Sequence, residues 1–115
     1  MVGHKRLVAW QKADRLAWEV YVLSDKFPKQ EIIGITSQLR RAVISVVLNI
    51  VEGYARESKK EFRHFLKISL GSLAEVGYIL EFSFKRGYIT KVQYNNASEL
   101  KDECGRIIWS LMRSL

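Results

Sequence analysis

Apolar positions recur at three- and four-residue steps over four long stretches of the chain, the period of a helix that turns one face to a core. In the first, about residues 5–26, Leu7, Trp10, Ala13, Ala17, Val20, Ser24 and Phe27 share a face. Phe27-Pro28 ends it, because proline restricts its predecessor and offers no amide to the helical ladder. The second stretch runs from about 32 to 57. Its middle, Leu39 to Val51, is apolar enough to touch neighbours on more than one side. Ile44, Val46, Val47, Ile50 and Val51 are β-branched and would suit a strand, but strands rarely exceed about ten residues. Gln38, Arg41, Ser45, Asn49 and Glu52 return at helical steps rather than at every second position, so a helix is expected.

The third stretch, about 59–86, follows the capping-box pattern Ser58-Lys59-Lys60-Glu61, in which serine and glutamate satisfy each other's backbone amides. Gly87, after Lys85 and Arg86, reads as a helix-terminating glycine behind cations that complement the helix dipole. Thr90-Lys91-Val92-Gln93 repeats the capping pattern and opens a fourth stretch, about 91–114, lined by Ala97, Leu100, Cys104, Ile107 and Leu111. Helices of this size, each about 30–40 Å long, joined by short turns, predict one all-α domain over residues 1–115. Its expected form is an antiparallel up-down-up-down four-helix bundle.

Composition adds bounds. A chain of 115 residues with 48% hydrophobic content can bury a continuous core without a metal or a disulfide. Cys104 is the only cysteine, which suits a reduced, cytoplasmic setting. No long apolar run follows Met1 to Arg6, so no signal peptide is expected, and Val46-Val47-Leu48 is far too short to span a bilayer. No membrane role is expected.

The net charge of +7, with an isoelectric point near 9.7, points to a polyanionic partner, nucleic acid first. Arg56, Lys59, Lys60, Arg63 and Lys67 form a basic run at the corner between the second and third helices, interrupted only by Glu57 and Glu61. Such a patch would hold phosphates through counterion release. Lys5, Arg6 and Lys12, with Arg40, are secondary candidates. A second group is a polar stripe on the second helix, Gln38, Arg41, Ser45, Asn49, Glu52 and Arg56, faced by Ser72 and Glu75 on the third. It reads either as a ligand groove or as a hydrogen-bonded network that fixes helix register. The second reading is favoured, because buried polar groups must be paired. Trp18 and Tyr78 fall off the core stripes and are candidates for an oligomer contact.

Catalytic patterns are missing from the sequence. His4 and His64 have no metal-ligand spacing, and Gly71 and Gly77 lack the lysine of a phosphate loop. Glu75 has no Glu-x-x-His companion, and Cys104 sits in an apolar run. The expectation is a non-enzymatic protein with neither cofactor nor metal.

The order Leu7-x-x-Trp10, Phe27-Pro28-x-x-Glu31-x-x-Gly34, Gln38-x-Arg40-Arg41-Ala42-x-x-Ser45, Asn49-Ile50-x-Glu52-Gly53-x-x-Arg56 and Gly71-Ser72-Leu73-x-Glu75 resembles the four helix bundle protein family. Its members are also called 23S rRNA-intervening-sequence proteins. The resemblance covers nearly the whole chain and ends in the turn Gly87-Tyr88-Ile89. Related proteins are accessory variability determinants of diversity-generating retroelements, basic pentameric barrels that engage a reverse transcriptase and nucleic acid. The resemblance implies a left-handed antiparallel bundle, a ring-like homo-oligomer of five copies and a nucleic-acid-linked role. Ser69 departs from the family's usual alanine, and Val46-Val47-Leu48 from a small or proline-containing stretch. The expected function is therefore a homo-oligomeric accessory factor that binds RNA or DNA. The alternative is a scaffold for a reverse transcriptase or other RNA-handling enzyme, with little nucleic-acid binding of its own.

Overall fold

Each long periodic stretch forms a helix in the computed structural model, which describes residues 3–115; Met1 and Val2, at the head of the segment read for a leader, lie outside the described residues. The helices are α1 (Val8–Ser24), α2 (Ile35–Ala55), α3 (Lys59–Lys85) and α4 (Lys91–Ser114), and there is no strand among the described residues. α1 packs against α2 and α4, and α3 packs against the same two, which makes a four-helix bundle of 42 × 25 × 24 Å. No helix among the described residues is long and apolar enough to cross a membrane.

Leu16 and Val20 of α1, Leu39, Val43, Val46 and Ile50 of α2, Leu66, Val76 and Leu80 of α3, and Ile108 of α4 are fully buried. Truncating any one of the larger of these to alanine would cost about 2–5 kcal/mol. The β-branched run of α2 supplies much of this core, so tertiary burial overrides its strand propensity. Cys104 is wholly buried in the same core, and burial pushes its thiol up to about 12.

Two helix starts lie later than the periodicity suggests. Gly3–Arg6 form a 3₁₀ turn, and Leu7 is extended at the head of α1. Gln11 reaches back to the Lys5 carbonyl at 2.9 Å, closing that turn onto the helix. Before α2, Lys29–Glu31 form another 3₁₀ turn and Gly34 stands at the N-cap. A Cβ on Gly34 would lie 2.8 Å from Glu31 Oε1, so a larger residue there would push the Glu31 carboxylate aside. The other Glu31 carboxylate oxygen accepts from the Tyr88 hydroxyl at 2.8 Å, tying this turn to the one between α3 and α4.

The other ends have local causes. α2 stops at Ala55 because Glu57 adopts a left-handed conformation, φ 54°, unusual for a residue with a Cβ. Ser58 caps α3 by accepting from the Glu61 amide at 3.2 Å. The reciprocal half of that box is not made: the Glu61 side chain turns to Arg56 instead, at 3.5 Å. α4 carries the complete box, Thr90 with Gln93. At the end of α3, Tyr88 N–H bonds the Ser83 carbonyl and Gly87 N–H that of Phe84, a Schellman closure with Gly87 at φ 79°.

Candidate nucleic-acid interface

The basic run begins where α2 ends. Arg56 lies between Glu52 at 3.6 Å and Glu61 at 3.5 Å, with its guanidinium carbon 5.1 Å above the Phe65 ring. Two carboxylates and an aromatic face hold it, so it buttresses the corner more than it offers charge outward. Beyond it, Lys59, Lys60 and Lys67 are exposed and Arg63 is half-buried. Steps of three and four residues put Lys60, Arg63 and Lys67 on one face of α3. None of these four cations has an ion pair among the described residues, and His64 stands exposed beside them.

The secondary candidates divide. Lys5 and Arg6 are exposed on the first 3₁₀ turn, which packs on both α1 and α2. Arg40 is not a free cation. Its Nε donates to the buried Ser24 hydroxyl at 2.8 Å, its Nη2 to Asp25 at 2.8 Å, and it lies 4.7 Å from the Tyr21 ring centre. These contacts lash α2 to the end of α1. Lys12 is likewise held, 2.7 Å from Glu103 on α4, and it keeps that carboxylate below its usual range. Both corrections have one cause: the neutralising carboxylate comes from another helix, beyond the reach of i,i+4 reasoning.

The polar stripe also splits. Ser45 and Ser72 hydroxyls meet at 2.8 Å across α2 and α3, and Asn49 Nδ2 donates to both the Ser45 carbonyl at 2.8 Å and its hydroxyl at 3.0 Å. The register-fixing network is therefore these three residues. Gln38, Arg41 and Glu75 make no hydrogen bond to it: they are exposed and line an open groove of about 820 Å³ that Ser45 and Ser72 also line. Glu52 faces Arg56. A further polar tie went unread in the stripe. Ser69, wholly buried, donates to the Val46 carbonyl at 2.8 Å and bonds α3 to the backbone of α2. Its sequence signal was a hydroxyl on an apolar face, at the position where the resembled family usually has alanine. Beside that seam, a Cβ on Gly53 would lie 2.9 Å from atoms of Phe62 and Phe65, so only glycine admits this approach of the helices.

No group of three His, Cys, Asp or Glu residues among the described residues stands close enough to hold a metal ion. What the surface offers chemically is positive charge on the α3 face and, elsewhere, an apolar strip: Trp18 (70% exposed) borders a crevice between α1 and α2 with Tyr21, Ile44 and Val47, and Val22 and Leu48 are exposed on the same two helices.

A family model described as 23S rRNA-intervening sequence protein matches residues 5–110. No curated protein matches the chain. Among solved structures, a protein of unknown function from the S23 ribosomal protein family of Bacteroides thetaiotaomicron VPI-5482 superposes with a TM-score of 0.85. That structure is 24% identical in sequence, and the match covers 92% of this chain and 96% of the other. At that identity the likeness concerns the fold.

Proposed function

The chain belongs to the 23S rRNA-intervening sequence protein family, and from that premise we propose that it is a basic, non-enzymatic, homo-oligomeric cytoplasmic protein that binds RNA or DNA through one positively charged end of its bundle. The observation that carries this reading is the distribution of charge. Residues 3–12, 52–67 and 103–115 hold ten Lys and Arg against four Asp and Glu, while the rest of the sequence holds nine against eight. Six of the seven net positive charges thus belong to three stretches.

An antiparallel up-down-up-down course brings those stretches to a common end: the start of α1, the end of α2, the start of α3 and the end of α4. Cross-helix contacts support that course, because numbers rise along one helix as they fall along the next. Gly53 lies against Phe62 and Phe65, while Val46 bonds Ser69 and Ser45 bonds Ser72. Gly77 meets Lys101 and Gly105 meets Leu73. Lys12 pairs with Glu103, and Leu7 shares a crevice with Ile107 and Leu111.

At that end Lys59, Lys60, Arg63 and Lys67, with Lys5 and Arg6, supply phosphate contacts that carry no sequence information of their own. The apolar strip of Trp18, Val22 and Leu48 supports a protein interface. We assign it to further copies of the chain, five in a ring as the family resemblance implies, which would repeat the basic end around an axis. The same strip favours the second reading, a scaffold that docks on a reverse transcriptase or another RNA-handling enzyme.

The test is RNA and DNA binding by fluorescence anisotropy across a salt series, with solution mass measured by sedimentation. Affinity is expected to fall linearly on a log–log salt plot. The triple variant Lys60→Glu, Arg63→Glu, Lys67→Glu should lose binding and keep its helicity by circular dichroism. Unchanged binding in that variant removes the interface from α3. A wild-type protein that binds no nucleic acid but retains a defined protein partner favours the scaffold.

A further inference from the structure

Two tryptophans stand half or more exposed, and their surroundings differ in kind. Trp18 has Val22 (65% exposed) one turn on, and Ile44 and Val47 of α2 line the crevice it borders, a mostly apolar setting. Trp109, 50% exposed on α4, has Arg106 three residues before it and Arg113 four residues after it, both exposed. Those steps place all three on one helix face, with the arginines about 10 Å apart along the axis. Neither arginine is ion-paired among the described residues, and Trp109 stacks on none of the other rings there. The acids on the preceding turns pair with lysines, Glu103 with Lys12 and Asp102 with Lys101, each at 2.7 Å, and Arg106 acts on Glu103 only by its charge, without an ion-pair contact.

We infer that this face of α4 is a stacking platform for single-stranded nucleic acid, with Trp109 receiving a base and Arg106 and Arg113 holding the phosphates on either side. The inference rests on the nucleic-acid reading above and narrows it. An indole between two unpaired guanidinium groups offers a base a π-face and a strand two cations, which is the composition of sequence-tolerant single-strand sites. A duplex keeps its bases stacked on one another and gives the ring nothing to cover, so the platform selects unpaired strand. Charge argues against a purely apolar partner here, because a second copy seated on this face would have to supply carboxylates for both arginines. In the antiparallel course Arg113 lies at the basic end, so the platform continues that surface up the outside of α4.

The experiment uses the full-length wild-type protein, titrated at low salt with oligo(U) and with a duplex RNA of equal length, and the Trp109→Phe protein shows which part of the indole signal belongs to Trp109. Oligo(U) should quench the fluorescence and the duplex should not. Trp109→Ala should weaken oligo(U) binding about tenfold, within the range found for single stacking residues, and leave duplex binding unchanged. Trp109→Phe should restore most of the loss. Equal effects on both ligands, or none on either, overturn the platform while the α3 interface stands if its triple variant still abolishes binding. A fall in solution mass on Trp109→Ala also overturns it, since the ring would then lie between copies. Failure of the wild-type protein to bind either RNA overturns the underlying reading and this one with it.

Discussion

The junction of α1 with α2 and the first turns of α3 are both rich in basic side chains, yet their charge is used differently. At the junction Arg40 donates to buried Ser24, pairs with Asp25 and covers Tyr21, so its charge is consumed within the fold. On α3, Lys60, Arg63 and Lys67 stand in a row with no carboxylate in contact. Arg56, between the two, shows how the division arises, because Glu52 and Glu61 neutralise the first cation of the run and leave the following ones bare. Formal charge counted along a sequence therefore overstates what a partner can reach, and the correction is local to each cation.

The comparison is broken most decisively at Arg40. Arg40→Ala should cost about 2 kcal/mol in chemical denaturation, the worth of a charge-assisted hydrogen bond to a buried group. The pair with exposed Asp25 adds little. RNA affinity should be unchanged, and a loss of affinity without a loss of stability would reverse the assignment of the two regions. A smaller effect of opposite sign is expected at the α2–α3 corner. Glu57 holds a left-handed backbone conformation at φ 54°, so Glu57→Gly should stabilise the fold by about 1 kcal/mol. The same change removes a carboxylate beside the α3 row and should raise RNA affinity slightly at low salt, measured in the same titrations.

The smallest effect concerns pH. Lys12 holds the Glu103 carboxyl below its ordinary value, first by hydrogen bonding and then by charge. Its contribution to stability is present above the ordinary carboxylate value and is lost as pH falls through the lowered one. Acid thermal melts of wild type and Glu103→Gln should accordingly differ at neutral pH and converge at low pH, and curves that stay parallel would remove the pair from the stability account.

Four helices were legible in the sequence because a 3.6-residue period over twenty or more positions leaves little else to fit. Their ends were less so. The Ser58 box is half made because Glu61 had two partners within reach and took Arg56, a choice decided by the turn at Glu57 rather than by the motif. Arg40 and Lys12 stand among the phosphate-binding candidates because their carboxylate partners, Asp25 at the end of α1 and Glu103 on α4, are distant in sequence. The polar stripe was visible as a stripe, but periodicity does not tell Asn49, which reaches Ser45, from Arg41, which lines the open groove. Trp109 was one aromatic among many until exposure set it apart from the rings that pack in pairs.

The deep placement of Cys104 makes the chain its own stopwatch. With no exposed surface and its thiol pushed up to about 12, the side chain should ignore alkylating reagents at pH 8 for as long as the helices stay together. Its rate of modification then reports how often the bundle stands open, with no label engineered in. Added nucleic acid that clamps one end of the bundle would slow that count, while nucleic acid resting on the surface without bracing the helices would leave it running at the same pace.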